Sequence, residues 1–131
     1  MPSSPDLEIV HRWCEVAAQA AASKKGLDTV ILDVGEVLAI TDSFVITSAN
    51  NDRLVRTIAE EIEKQVKQAG GPVPMRMEGR REAEWVLLDY GDFVVHVFLE
   101  ETRRFYDLER LWADAPRVDW QERAPAIAAG E

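Results

Sequence analysis

The sequence predicts a single α/β domain, with a mixed five-stranded sheet and flanking helices in the order α-β-β-α-β-β-β-α. Three observations support this fold class. Two long stretches carry apolar residues at helical spacing, five short runs are rich in strand-forming residues, and the second helix is long enough to connect parallel strands. The 131 residues, 47% apolar and 30% charged, have the size and composition of one globular domain.

Two helices are predicted from caps and periodicity. The first runs from about Pro5 to Lys24, with Ser4 as its cap, because proline suits the first helical position. The second begins at a cap on Asn50 or Asn51 and ends near Ala69, before a Gly-Gly-Pro stop. Their apolar stripes are Val10, Trp13, Cys14, Ala17 and Ala21 in the first helix, and Leu54, Ile58, Ile62 and Val66 in the second.

Five strands complete the predicted sheet, and Gly91 makes the last two an antiparallel hairpin. The final helical segment is EETRRFYDLERLW, in which Tyr106, Leu108 and Trp112 fit either the core or an interface, with the core favoured. The domain is predicted to span residues 1–116, and Ala, Pro and charge from Ala113 onward predict a flexible tail over 117–131. The strands are DTVILDVG (28–35), SFVITSA (43–49), MRME (75–78), WVLLDY (85–90) and DFVVHVFL (92–99).

The hairpin is apolar on both of its faces. Because successive side chains of a strand alternate, Val86, Leu88 and Tyr90 share one face, and Trp85, Leu87 and Asp89 share the other. The predicted helices cannot cover both faces completely, so part of the hairpin is expected to be an exposed interaction surface. Periodicity alone leaves open whether the tryptophan belongs to that surface or to the core.

Catalytic and cofactor chemistry find little support in the sequence. His96 is the leading candidate for a general base, but between two valines it fits a structural or interface role better. His11 and His96 are the only histidines and Cys14 is the only cysteine, so neither a metal site nor a cofactor is predicted. Cys14 lies on an apolar helical face and is expected to be inert.

Net charge narrows the class of partner. With 24 acidic and 15 basic residues, the chain carries a net charge of −9, which disfavours DNA or RNA and favours a basic protein. No apolar run approaches the roughly 20 residues that span a bilayer, and the first ten residues are not a signal peptide. We therefore expect a cytoplasmic protein without a membrane partner.

Two stretches resemble one known family. The sequence EGRREAEWVLLDYGDFVVHVFLEETRRFYDLERLW (78–112) resembles the ribosomal silencing factor family, also called the Iojap-like or RsfS family. The stretch LDVGEVLAITDSFVITSANN (32–51) is similar to the first half of that family. The resemblance covers about residues 7–116, and the shared order and spacing of the motifs make it specific.

The resemblance implies both a fold and a function. The expected fold is related to nucleotidyltransferases without their catalytic residues, since the Gly-Ser and Asp-x-Asp signature is absent here. The expected function is translational repression under nutrient limitation. The family binds ribosomal protein fourteen of the large ribosomal subunit and blocks joining of the small subunit, and its members are commonly homodimers.

Together, the hairpin pattern and the resemblance predict a non-enzymatic, ribosome-binding protein. Two alternatives stay open, namely a residual nucleotide-binding or nucleotidyltransferase-like module and a dimerisation scaffold. The predicted partner-binding residues are Trp85 and Tyr90 as apolar anchors, Glu78, Asp89 and Asp92 as acidic complement, and His96 at the edge of the patch.

Overall fold

The computed structural model describes residues 7–35 and 41–120. Its elements follow the predicted order, except that the final helical segment divides in two. Asp107 ends the first part by adopting a left-handed backbone conformation with φ 51°. The predicted cap at Ser4 and start at Pro5 lie outside the described residues. The elements are α1 (Leu7–Ser23), β1 (Leu27–Asp33), β2 (Ser43–Ala49), α2 (Asp52–Gln68), β3 (Arg76–Glu78), β4 (Trp85–Asp89), β5 (Phe93–Leu99), α3 (Glu100–Tyr106) and α4 (Leu108–Leu111).

The five strands form one mixed sheet in the order β1-β2-β5-β4-β3. β2 and β5 run parallel, whereas the other three neighbouring pairs are antiparallel. The chain between the two parallel strands contains α2, β3 and β4, which confirms the crossover through the second helix. The hairpin of β4 and β5 is confirmed as well. No helix in the described stretches is long and apolar enough to cross a bilayer.

Both long helices pack on one face of the sheet, over the larger of two hydrophobic clusters. We call this the helix-covered face. The side chain of Asn51 caps α2, because its Oδ1 accepts a hydrogen bond from the backbone N–H of Leu54 at 2.8 Å. Along α2 the predicted stripe is buried except at Leu54, which is half-buried, while its neighbour Val55 is fully buried.

The opposite face of the sheet carries a smaller cluster that is only partly covered, by α4 and the residues that follow it. Trp112 closes one side of this cluster, meeting the ring of Phe44 edge-on with centroids 5.8 Å apart. Trp112 and Leu108 therefore pack against the core as predicted. On the β4 side, no long helix from residues 7–35 or 41–120 covers the sheet, and the side chains there are left partly exposed. We call this the second face.

Residues 113–120 correct the predicted start of the flexible tail. The backbone of this segment pairs with the outer edge of β1, since the N–H of Val118 donates to the Ile31 carbonyl at 2.9 Å. Trp120 is buried, and its Nε1–H donates to the carbonyl of Thr29 at 3.1 Å. The ordered chain thus extends beyond the predicted boundary at residue 116. The rest of the predicted tail, 121–131, lies outside the described residues.

Candidate partner-binding face

Trp85 is the centre of the second face. It stands at the start of β4 and is partly buried, with its indole centroid 4.8 Å from the ring of Phe98 and 4.9 Å from the ring of Tyr106. Its Nε1–H donates to Nδ1 of His96 at 3.1 Å. Trp85 therefore lies between a buried ring and an exposed one, with its only polar group already bonded inside the chain.

Three large apolar side chains beside Trp85 are exposed to solvent. Phe105 is 80% exposed, Tyr106 53% and Leu111 72%. The rings of Phe105 and Tyr106 meet edge-on with centroids 5.0 Å apart, so Trp85, Tyr106 and Phe105 form a continuous row. Leu111 lines the same surface depression as the two exposed rings. We call these four residues the aromatic patch. A contiguous exposed apolar surface of this kind is typical of a protein–protein contact site.

Of the four residues in the aromatic patch, only Trp85 was predicted from the sequence as a partner-binding residue. For Tyr106 the core was favoured over an interface, and that preference is wrong because the side chain is 53% exposed. Phe105 and Leu111 were not predicted as partner-binding residues. Helical periodicity does not single them out. Adjacent residues of an α-helix point about 100° apart and can both be buried, as Ile58 and Ala59 are in α2.

The prediction that Tyr90 lies on the exposed patch is also wrong. Tyr90 is buried in the cluster on the helix-covered face, where its ring stacks on that of Phe93 with centroids 4.5 Å apart. Burial, followed by the nearby carboxylate of Glu63 on α2, raises the pKa of its phenol. Tyr90 points away from Trp85, so the two predicted anchors do not share a surface.

His96 lies on the second face, but beneath it rather than at the edge of an exposed patch. The side chain is 5% exposed and meets the ring of Phe44 edge-on at 4.7 Å. Burial lowers its pKa to about 4, so the ring is neutral at neutral pH. Because Nδ1 accepts from Trp85, the proton of the neutral ring lies on Nε2, which has no hydrogen-bond partner among the described residues. Its ring nitrogens are thus not paired with a carboxylate.

The three predicted acidic residues lie on β3, on β4 and at the hairpin turn. Glu78 of β3 pairs with Leu87, which is two residues from Trp85 on β4. Asp89 lies further along β4 and, like Glu78, faces Arg76, at 3.4 Å and 3.6 Å respectively. Asp92 is exposed at the hairpin turn, about 20 Å along the strands from Trp85. Glu78 and Asp89 therefore share the second face with Trp85, and Glu78 is the nearer of the two along the strands.

The geometry offers little for metal or thiol chemistry. Within the described ranges, no group of three or more His, Cys, Asp or Glu side chains could hold a metal ion. Burial raises the pKa of the Cys14 thiol to about 12, so this cysteine is not a nucleophile at neutral pH.

The family relationship follows from direct comparison with known proteins. A family model described as "Ribosomal silencing factor during starvation" (RsfS) matches residues 8–130. The chain belongs to this family. It is 44% identical over 105 residues to the ribosomal silencing factor RsfS of Bacillus subtilis, covering 80% of this chain and 88% of that protein. The resemblance inferred from the hairpin motifs is therefore confirmed.

The proteins similar to this chain include a chloroplast protein. They also include a bacterial protein whose crystal structure is known. The chloroplast protein Iojap of Zea mays is 33% identical over 107 residues, which cover 78% of this chain and 44% of that longer protein. A crystal structure from Chromobacterium violaceum superposes with a TM-score of 0.76 at 32% identity, covering 79% of this chain and 86% of that one. The predicted fold class, a mixed α/β domain, is confirmed by this likeness.

Proposed function

We propose that the chain silences translation by binding the large ribosomal subunit through ribosomal protein fourteen of that subunit, so that the small subunit cannot join. The bacterial relative is named as a ribosomal silencing factor, which supports a role at the ribosome. The proposed place of action is the cytoplasm. The proposed mechanism is steric exclusion without turnover, because a contact of about 800 Å² per partner is enough to occupy a docking surface.

The aromatic patch is the observation that carries this proposal. Phe105, Tyr106 and Leu111 expose apolar area that folding alone leaves uncovered, and Trp85 is fixed beside them. Aromatic residues of this kind dominate the binding energy of protein interfaces. The net charge of −9 and the neighbouring acids, Glu78 among them, would speed the approach of a basic ribosomal protein.

A paired substitution tests the proposed contact. We expect Phe105→Ala with Tyr106→Ala to weaken binding to purified large subunits by roughly 2–4 kcal/mol, because two exposed anchor side chains are lost from the interface. Co-sedimentation with large subunits measures the affinity. Adding small subunits to the same samples measures how much joining is blocked.

The matched control is Leu7→Ala with Ile9→Ala on α1. These side chains are 54% and 49% exposed but lie away from the aromatic patch. The control should bind and block like the unmodified chain, and both double variants should keep its thermal midpoint. Full binding by the Phe105/Tyr106 variant would place the contact elsewhere. An equal loss in both variants would point to a non-specific apolar effect.

We also propose that the free chain forms a homodimer through the same aromatic patch, because an exposed apolar surface can bury itself against a second copy. The Phe105/Tyr106 variant should then elute as a monomer in size-exclusion chromatography with light scattering, while the Leu7/Ile9 variant elutes as a dimer. A dimer that persists in both variants would assign self-association to another surface.

A further inference from the structure

The β4–β5 register brings His96 and Trp85 together across two strands. Leu87 pairs with His96 and Trp85 with Phe98, so His96 is the diagonal neighbour of Trp85 on the second face. Diagonal neighbours in an antiparallel pair lie within reach of long aromatic side chains. The hydrogen bond from Trp85 Nε1 to His96 Nδ1, at 3.1 Å, uses that proximity.

The imidazole is far more confined than the indole that it binds. Phe44 meets it edge-on at 4.7 Å, and Phe98 lies nearly parallel to it at 6.1 Å, with 12° between the rings. Trp85 is only partly buried, and one of the two rings that it contacts, Tyr106, is itself 53% exposed. The fixed partner in this hydrogen bond is therefore the histidine.

A histidine at this position is a poor choice for stability alone. Its Nε2–H is buried without a partner among the described residues, and burying an unpaired polar group costs free energy. The surrounding cluster consists of aliphatic and aromatic side chains, into which leucine would fit without that cost. Within the described part of the chain, the one hydrogen bond that the imidazole makes is with Trp85, which lies in the aromatic patch.

We propose that His96 is a positioning residue, which fixes the Trp85 indole so that the aromatic patch is already assembled before a partner arrives. The hydrogen bond selects one orientation of the indole and satisfies its N–H within the chain. The partner then meets the apolar surface of the ring and does not need to supply an acceptor. The effect on ribosome binding rests on the function proposed above, whereas the effect on the indole does not.

Two substitutions at one position separate the hydrogen bond from the packing. His96→Asn keeps an acceptor, because Oδ1 of asparagine takes the place of Nδ1, and His96→Leu keeps apolar volume without an acceptor. We expect His96→Leu to fold at least as stably as the unmodified chain but to bind purified large subunits about fivefold more weakly. His96→Asn should restore the affinity. His96→Ile is a second acceptor-free variant if the leucine variant does not fold.

The free protein provides a readout that packing alone would not change. In ¹⁵N–¹H spectra, the Trp85 indole N–H, assigned by its loss in Trp85→Phe, should exchange with solvent faster in the leucine variant and return to the native rate in the asparagine variant. Nuclear Overhauser contacts between Trp85 and Tyr106 should weaken and recover in parallel. Unchanged exchange and contacts in His96→Leu would overturn the proposal.

The two readouts also separate this proposal from the proposed function. If the unmodified chain fails to bind large subunits, the proposed function fails, and indole exchange still decides whether His96 positions Trp85. Faster exchange together with native affinity in the leucine variant would overturn the assigned role of His96 in binding while leaving the function intact.

Discussion

Trp85 makes three side-chain contacts within the isolated chain. The indole centroid lies 4.8 Å from the ring of Phe98 and 4.9 Å from the ring of Tyr106, and His96 accepts its N–H. Each contact removes rotational freedom that a partner would otherwise have to restrict, and such preorganisation lowers the entropy cost of association. The binding contribution of this tryptophan therefore depends on buried residues that no partner touches.

The burial of His96 makes the free energy of unfolding depend on pH. In the unfolded chain the ring binds a proton as pH falls through 6.5, whereas the folded chain binds it only near pH 4. Between these values the unfolded state holds more protons, so acidification favours unfolding. We expect the unmodified chain to lose up to roughly 3 kcal/mol of stability relative to His96→Asn between pH 6.5 and 4, as measured by urea unfolding.

The asparagine variant supplies the control, because both chains share the same carboxylates and the same His11. Their common acid sensitivity cancels in the difference between the two unfolding free energies. Parallel curves across this pH range would contradict the assigned burial of a neutral imidazole.

The alternation of side chains along the predicted strand contains information that the choice of Trp85 and Tyr90 as joint anchors did not use. Trp85 and Tyr90 are five residues apart on one strand, so alternation alone places them on opposite faces. Which face stays open depends on where α1 and α2 pack, and both pack on the face that holds Tyr90. That choice is made by tertiary contacts between distant segments, so the periodicity of the hairpin, which is apolar on both faces, could not decide it.

The α3–α4 element is anchored by a single buried arginine. Arg103 donates through Nη1 to the Leu27 carbonyl at 3.0 Å and to Ser48 Oγ at 2.8 Å, and through Nη2 to the Asp28 carbonyl at 2.7 Å. Its Nε–H donates to Glu109 Oε1 at 3.0 Å, which holds the start of α4 against α3. This guanidinium fixes the two helices that present Phe105, Tyr106 and Leu111.

Removing the guanidinium should therefore destabilise the domain. We expect Arg103→Leu to lower the free energy of unfolding by about 3 kcal/mol or more, because buried carbonyls and the Glu109 carboxylate lose their donor. The control is Arg104→Leu, at a neighbouring position where the side chain is 67% exposed and makes a 3.8 Å ion pair with Glu100. A change within about 0.5 kcal/mol is expected there. Equal losses in urea unfolding would show that the anchor is not Arg103.

At the level of elements, β-branched runs and caps predicted the strands closely. SFVITSA was predicted at the same residues as β2, and Asn51 was one of the two predicted caps of α2. The break at Asp107 was not predicted, because an aspartate carries no glycine-like signal for the left-handed conformation that it adopts. The segment that pairs with β1 was not predicted either, since its contacts use backbone groups and need no apolar alternation.

On the scale of the whole molecule, the folded domain extends further along the chain than the composition predicts. The family model matches up to residue 130, and Trp120 belongs to the main hydrophobic cluster. We expect Trp120→Ala to cost roughly 3–5 kcal/mol of stability, because a buried aromatic side chain is removed together with its hydrogen bond to Thr29.

Asp119 is the matched control for that experiment. Its side chain is exposed beside the same segment, so Asp119→Ala should leave the urea midpoint nearly unchanged. A small effect of Trp120→Ala would return the domain boundary to residue 116, as the composition predicted.

Residues 113–120, which pair with β1, also limit how strands from other copies of this chain can add to the sheet. Among the described residues, Arg117 forms a bridge with Leu32 and covers part of the outer edge of β1, whereas no strand pairs with the outer edge of β3. Fibre-like stacking of sheets end to end needs two free rims on every copy. Strand addition between copies of this chain would therefore stop at a dimer. This limit would protect an acidic protein with an exposed apolar surface from open-ended polymerisation.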